Sequence, residues 1–215
     1  EGQGEQAWDD VKDGELSATE VKAARKEEVG YMEKRSIWSV KPEKECWEKL
    51  GKALVSVRWV DTLKADGVRS RLVARDFKGA DNDQDDLFAA TPPLESKRSL
   101  LSRAATRVKG KLVRKLLFID AKKAHLNPLC KEDVYIQLPD EAKGGPGMCG
   151  KLNFWLYGFR RAASAWEDFY AEKFEGEGFA RGDACPVIFY HPDRDLSLAV
   201  HGDDFTFCGI EKDLH

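Results

Sequence analysis

The chain has 215 residues, 42% of them hydrophobic and 34% charged, and a formal net charge of −3. That length is enough to bury a substantial core and fits one domain, or one domain with a small appendage. No apolar run approaches the roughly 18 residues that a membrane-spanning helix needs, and nothing in it resembles a signal peptide, so no membrane role is expected. The cysteines, at 46, 130, 149, 185 and 208, are odd in number and lack metal-clip spacing, which predicts free thiols in an intracellular protein.

Charge is unevenly spread. Residues 1–20 hold seven acids against Lys12, and residues 97–123 hold ten Lys or Arg against Asp120 alone. A concentrated basic segment can attract a phosphate backbone when the total is near neutral, although a solvated helix face has the same composition. The acidic, Gly-rich residues 1–16 are expected to lack order, and 17–215 to form the folded body. The start at Glu1 rather than Met and the end just beyond Gly209 are expected of a fragment.

From Ser17 the pattern is helical to about Lys34, with Ser17 or Thr19 as cap. Ile37–Val40 reads as a short strand before Pro42. Leu54–Val60 and Arg69–Ala74 flank Asp66-Gly67 and predict a β-hairpin. Gly79–Asp86 reads as an acidic loop. Lys97 to about Val108 is helical, with Leu100, Leu101, Ala104, Ala105 and Val108 as its stripe. Leu116–Ile119 reads as a buried strand ending in Asp120, Val134–Leu138 as a further strand and Gly144–Gly147 as a loop. Ala162–Phe174 is helical, with Trp166, Phe169 and Tyr170 on one side. Trp155, Tyr157, Trp166, Phe169 and Tyr170 fit core packing better than base stacking, since three share that stripe. Val187–Tyr190 and Leu196–Val200 are strands joined at Pro192-Asp193, where His191 reads as a turn residue. Helices interleaved with hairpins predict an α+β fold, helices packing on one face of a mostly antiparallel sheet.

The chemistry concentrates where Leu196–Val200 meets Phe205–Cys208. The turn His201-Gly202-Asp203-Asp204 sets two carboxylates side by side, which is costly unless a cation or solvent screens them. Gly-Asp and Asp-Asp are also ordinary residues of solvated turns. If the strand ending in Asp120 neighbours this hairpin, three oxygen ligands converge, the donor set that Mg²⁺ prefers. Two such ions could activate a primer 3′-hydroxyl and steady the leaving pyrophosphate.

Several segments, in order, carry a family resemblance. They are Val57-Arg-Trp-Val-Asp61, Arg69-Ser-Arg-Leu-Val-Ala-Arg75, Asp86-Leu-Phe-Ala-Ala-Thr-Pro-Pro93 and Phe118-Ile-Asp-Ala-Lys-Lys-Ala-His-Leu126. Val134-Tyr-Ile-Gln-Leu-Pro139, Leu156-Tyr-Gly-Phe-Arg-Arg-Ala-Ala163 with Trp166, Phe189-Tyr-His-Pro192 and Val200-His-Gly-Asp-Asp-Phe205 follow. Together they resemble the reverse transcriptase domain of copia-type retrotransposon polyproteins, especially the divergent dinoflagellate copies.

The resemblance implies an RNA-directed DNA polymerase of right-hand fingers-palm type, an antiparallel palm sheet backed by helices, with the thumb absent. It implies Asp120, Asp203 and Asp204 as catalytic metal ligands for two Mg²⁺ ions. It also implies Arg69, Arg71 and Arg75 for triphosphate or template contact, His125 against the incoming sugar, and Gly158 and Arg161 near the nascent base pair. The implied partners are primer with RNA or DNA template, deoxynucleoside triphosphates, and the integrase and RNase H regions of a parent polyprotein. Two departures stand out: Arg161 replaces a usual Gln, and His201-Gly202 precedes the acids where Tyr-Val is common. A catalytically silent remnant with residual nucleic-acid binding and a structural interaction domain are the competing readings. The latter predicts Asp120 and Asp203 far apart.

Overall fold

Local sequence sets most element boundaries in this computed structural model, which describes residues 7–76, 90–107, 109 and 112–214. Residues 1–6, the expected loop Gly79–Asp86, the first part of the Asp86–Pro93 segment and Val108 lie outside the described residues. In chain order the first elements are β1 (Ala7–Trp8), β2 (Glu15–Leu16), α1 (Ala18–Lys34), β3 (Trp38–Pro42), α2 (Glu43–Leu50), β4 (Val57–Lys64) and β5 (Gly67–Ala74). Next come α3 (Leu94–Ala105), β6 (Arg114–Asp120), a 3-10 turn at Ala124–Leu126, β7 (Tyr135–Gln137) and β8 (Met148–Leu152). The last are α4 (Arg160–Gly176), β9 (Ala180–Arg181), β10 (Ile188–His191), β11 (Leu196–His201), β12 (Asp204–Ile210) and α5 (Glu211–Leu214). This is an α+β chain whose strand ladders are antiparallel. No helix among the described residues is long and apolar enough to cross a membrane. All five cysteines are free.

The described residues fall into two compact units, one drawn from residues up to Asn82 and from Pro128–Ala162, the other from Asp83–Asn127 and from Ala163 onward. In the first, Ser17 caps α1 by accepting from the Glu20 N–H, as its place before Ala18 predicts. Val21, Val29 and Met32 form the buried side of α1. The β4–β5 hairpin has Lys64 opposite Gly67, so its turn is Ala65-Asp66 and Gly67 supplies the positive φ (+121°) just after it. A three-stranded sheet, β3-β8-β7, holds Cys149 and Tyr135 against Cys46 of α2. Helix α2 has no counterpart in the sequence reading. Its eight residues are held by i,i+4 ion pairs (Lys44–Glu48, Glu45–Lys49) and by Gly51 in the left-handed region at its end.

The acidic opening segment is built into this unit over its described part. β1 pairs with β2, and Asp9 spans the turn between them by accepting from the N–H groups of Val11 and Lys12. The other Asp9 oxygen accepts from Leu63 N–H at 2.8 Å, and these backbone donors, Leu63 first, hold its carboxyl below the usual range. Asp10 in turn accepts from Asp61 N–H at 2.7 Å. Asp9 and Asp10 therefore act as backbone-capping groups within this segment.

Asp61 is the buried node of that network. It accepts from Arg25 Nη2 at 2.6 Å and from Ser70 Oγ at 2.6 Å, with its side chain 5% exposed. Replacing Asp61 by Ala removes the 2.6 Å ion-pair partner of Arg25 and the 2.6 Å acceptor of the buried Ser70 hydroxyl. We expect Asp61→Ala to lower stability by about 2–3 kcal/mol in urea denaturation, because breaking one partner of a buried pair costs more than the pair contributes.

The second unit is a five-stranded antiparallel sheet in the order β6-β12-β11-β10-β9. Trp166, Tyr170 and Phe174 of α4 pack on one face, against Phe189, Val200 and Phe205, with ring centroids 5.5–6.3 Å apart. Leu100 and Ala104 of α3 pack against Ala199, Cys208 and Leu116, which alternate with those residues and so point to the other face. Helices therefore cover both faces, not one, because α3 carries an apolar stripe of its own. Leu101 lies off that stripe and is 52% exposed. The strand expected to be buried, β6, is the sheet's edge, which leaves Phe118 68% and Ile119 45% exposed. His191 is not a free turn residue: it is buried against Phe179, and its Nδ1 accepts from Arg194 N–H.

Arg103 of α3 and Arg114 of β6 converge on Asp195, in the turn between β10 and β11. Arg114 first, then Arg103, hold the Asp195 carboxyl at about 2, against an ordinary 3.8. A depressed folded value means the stabilisation is complete above the unfolded value and is lost as pH falls through the folded one. We expect the acid limb of the Tm profile between about pH 4 and pH 2 to flatten in Asp195→Asn. An unchanged limb in a calorimetric pH series would show that the cluster contributes nothing there.

Candidate active site

Backbone pairing in the second unit assembles three carboxylates. β6 and β12 are neighbours, and their register sets Asp120 directly opposite Asp204. β11 and β12 close with His201 opposite Asp204, which leaves Gly202-Asp203 as a two-residue turn. Gly202 has φ +65° while Asp203 is not in the positive region, the pattern of a type II′ turn with Gly first. Nothing lies within 4 Å of a Cβ built there, so the requirement at Gly202 is conformational rather than steric. The indole Nε1 of Trp166 donates to Gly202 O at 2.8 Å, and Ala121 N–H donates to Asp203 O at 2.8 Å. These two bonds tie the tip to α4 below and to the end of β6 beside it.

Asp120, Asp203 and Asp204 are all exposed, and each offers a carboxylate oxygen such that all three lie within 4.8 Å of one another. In an octahedral Mg²⁺ shell with bonds of about 2.0–2.1 Å, ligand oxygens stand about 2.9–4.2 Å apart. Three carboxylate oxygens gathered within 4.8 Å of one another form a group that could hold a hard divalent cation. The separation of Asp120 and Asp203 that an interaction domain predicted is not found. Lys97 of α3 stands at the same end of the sheet, its Nζ 3.2 Å from His201 Nδ1.

The other residues singled out by sequence are distributed between the units. His125 lies in the second, in the 3-10 turn after Asp120, half-buried between the buried Ala124 and Leu126. Arg69, Arg71, Arg75, Gly158 and Arg161 belong to the first. Arg69 and Arg75 are exposed. The Arg71 guanidinium lies over the Tyr157 ring at 5.7 Å, and its Nε is buried without a hydrogen-bond partner. Arg161 pairs with Glu132 at 2.6 Å. Gly158 has φ +88° and packs against Ala74 and Val73. The Lys97–His201 contact and the Trp166 tether were not anticipated. Residues 104 positions apart meet only through sheet packing, and the Trp166 indole N–H was hidden behind its role as a core ring. Residues 42–214, which include all three acids, match the model of the family described as Reverse transcriptase (RNA-dependent DNA polymerase), and the chain belongs to that family.

Proposed function

We propose that this chain is the RNA-directed DNA polymerase domain of a copia-type retrotransposon polyprotein, adding deoxynucleotides to a primer 3′-end on an RNA or DNA template. The observation that carries the reading is the convergence of Asp120, Asp203 and Asp204 on adjoining strand ends of a chain in this family. In this proposal the second unit serves as palm and the first as fingers of a right-hand polymerase. Asp120 and Asp203 hold two Mg²⁺ ions, and Asp204 assists as a third ligand or as local negative charge. Bound there, the pair of ions would ease deprotonation of the primer hydroxyl and neutralise charge on the departing pyrophosphate.

The chain's own contribution is positional. Trp166, Ala121 and the Gly202 turn hold the acidic tip still, so ligand geometry is preset before substrate arrives. Arg69, Arg71 and Arg75 are assigned to triphosphate or template contact, His125 to the incoming sugar, and Gly158 and Arg161 to the template side. Integrase and RNase H regions of a parent polyprotein are the proposed partners, and free thiols at all five cysteines support a place inside the cell.

The test is primer extension on an RNA template with Mg²⁺ and four deoxynucleoside triphosphates. Template-directed product supports the reading. Folded protein that binds primer–template yet extends nothing overturns it and leaves a silent remnant.

A further inference from the structure

Strand β6 forms one edge of the second unit's sheet and is bonded to β12 on one side only. The phase of that ladder fixes which backbone groups point away from the sheet. Ala121 N–H donates to Asp203 O, and in an antiparallel ladder every second pair is hydrogen-bonded in this way. Lys115, Leu117 and Ile119 therefore bond inward to β12, while Arg114, Leu116, Phe118 and Asp120 turn their N–H and C=O groups outward. Among the described residues those outward groups form no backbone hydrogen bond. Phe118 and Ile119 are exposed, so no side-chain packing hides this edge. Sheet edges are commonly blunted by charge, by proline or by shortness, as the two-residue β9 blunts the other edge of this sheet.

We propose that β6 pairs antiparallel with β6 of a second copy of this chain, about a twofold axis through Leu117, so that two five-stranded sheets become one. Outward backbone groups must meet outward groups, which requires the axis to pass through a residue rather than between two. Centring on Leu117 overlaps all seven residues of the strand. It sets Arg114 opposite Asp120 at both ends, Leu116 opposite Phe118, and Lys115 opposite Ile119, whose apolar side chain the lysine stem covers. Centring on Lys115 opposes that lysine to its own copy, and centring on Phe118 sets Arg114 opposite Lys122, like charges that destabilise a pair. Centring on Leu116 sets Leu112 opposite Asp120. Arg114 keeps its bond to Asp195, but with Arg103 the cluster holds two cations and one anion, so this end of the strand stays basic. A basic start and an acidic end are complementary when the strand meets itself reversed, which is why the occupant is a second copy. One such edge per chain closes the assembly at two. The inference is independent of the polymerase reading, since it uses only the backbone phase and the charge order of β6.

The experiment is sedimentation equilibrium of the full chain. A species of twice the 24.2 kDa chain mass is expected, with a Kd of roughly 1–100 µM for so short an interface. Phe118→Pro removes an outward N–H and an exposed ring but no bond to β12, so it should leave the monomer folded and weaken pairing about 100-fold, the loss being counted twice by symmetry. Phe118→Lys, which leaves the backbone intact, should weaken it about tenfold. Register is read by cross-linking. Leu117 meets its own copy in a non-hydrogen-bonded pair, where Cα atoms stand about 4.5 Å apart, within reach of a disulfide. Leu117→Cys treated with oxidised glutathione should give a linked dimer, the two thiols losing two electrons and two protons as the oxidant becomes two reduced glutathiones. Phe118→Cys, whose copies lie on opposite sides of the axis, should not, nor should the wild-type chain with its five thiols. A chain that stays monomeric through that concentration range would overturn the pairing. A dimer that persists in both folded Phe118 variants, with no cross-link from Leu117→Cys, would overturn it equally.

Discussion

Asp203→Asn is expected to lower primer extension on an RNA template by about 10³-fold, equivalent to about 4 kcal/mol of transition-state stabilisation. The amide keeps the side chain's size but removes the charge, and a hard divalent cation gains little from a neutral oxygen where it had a carboxylate. Fold stability should move the other way. Three carboxylates with oxygens within 4.8 Å repel one another when no cation is bound, so the Asn variant should have an equal or higher Tm in EDTA. Asp120→Asn should behave alike. Asp204→Asn should cost less, about 10–100-fold, if Asp204 is the auxiliary acid. Steady-state extension rates beside Tm with and without Mg²⁺ would separate the effects. A rate in Asp203→Asn within threefold of wild type would remove Asp203 from the metal site.

Gly158→Ala carries the largest stability effect we expect, about 3–5 kcal/mol in equilibrium denaturation. A Cβ at this position would stand 2.2 Å from Ala74 O, 2.5 Å from Val73 Cγ1 and 2.9 Å from Ala74 N, and the backbone has φ +88°. Both demands are backbone demands. Ala74 N–H donates to Tyr157 O at 2.7 Å, so the end of β5 cannot retreat without breaking the bond that closes this approach. A side chain at 158 thus loses either the left-handed conformation or the strand contact. Serine should fare no better than alanine, since the clash is with Cβ itself. Gly158→Ala with wild-type stability but weakened template binding would instead assign the glycine to substrate approach alone, as the resemblance implies.

How much of this was legible before folding differs from residue to residue. Ser17 caps α1 because its hydroxyl meets a free N–H within one turn, a matter of neighbours in the chain. The β4–β5 hairpin and the acidic turn at 202–203 were legible for the same reason, since Gly carries the positive φ at both. Burial was less legible. Leu116–Ile119 has the composition of a core strand, yet its exposure follows from standing at the sheet edge, which depends on strand order rather than on strand sequence. The capping roles of Asp9 and Asp10 were hidden because their partners, Leu63 and Asp61, lie over fifty residues away. The same distance hid the Asp195 cluster, whose arginines come from a helix and from an edge strand.

Sequence by itself named the candidate ligands: three carboxylates of hard-oxygen character, two of them adjacent because a Gly-Asp turn makes them so, and a third closing an apolar strand. It could name Asp120 but not say what stood beside it. Only the tertiary structure decided that β6 pairs with β12 in the register that faces Asp120 with Asp204, and that Lys97 ends 3.2 Å from His201. The reason is physical. Turn geometry is governed by φ preferences of adjacent residues, whereas register and edge position follow from burying α3 and α4 on opposite faces of one sheet, a free energy that belongs to the whole unit.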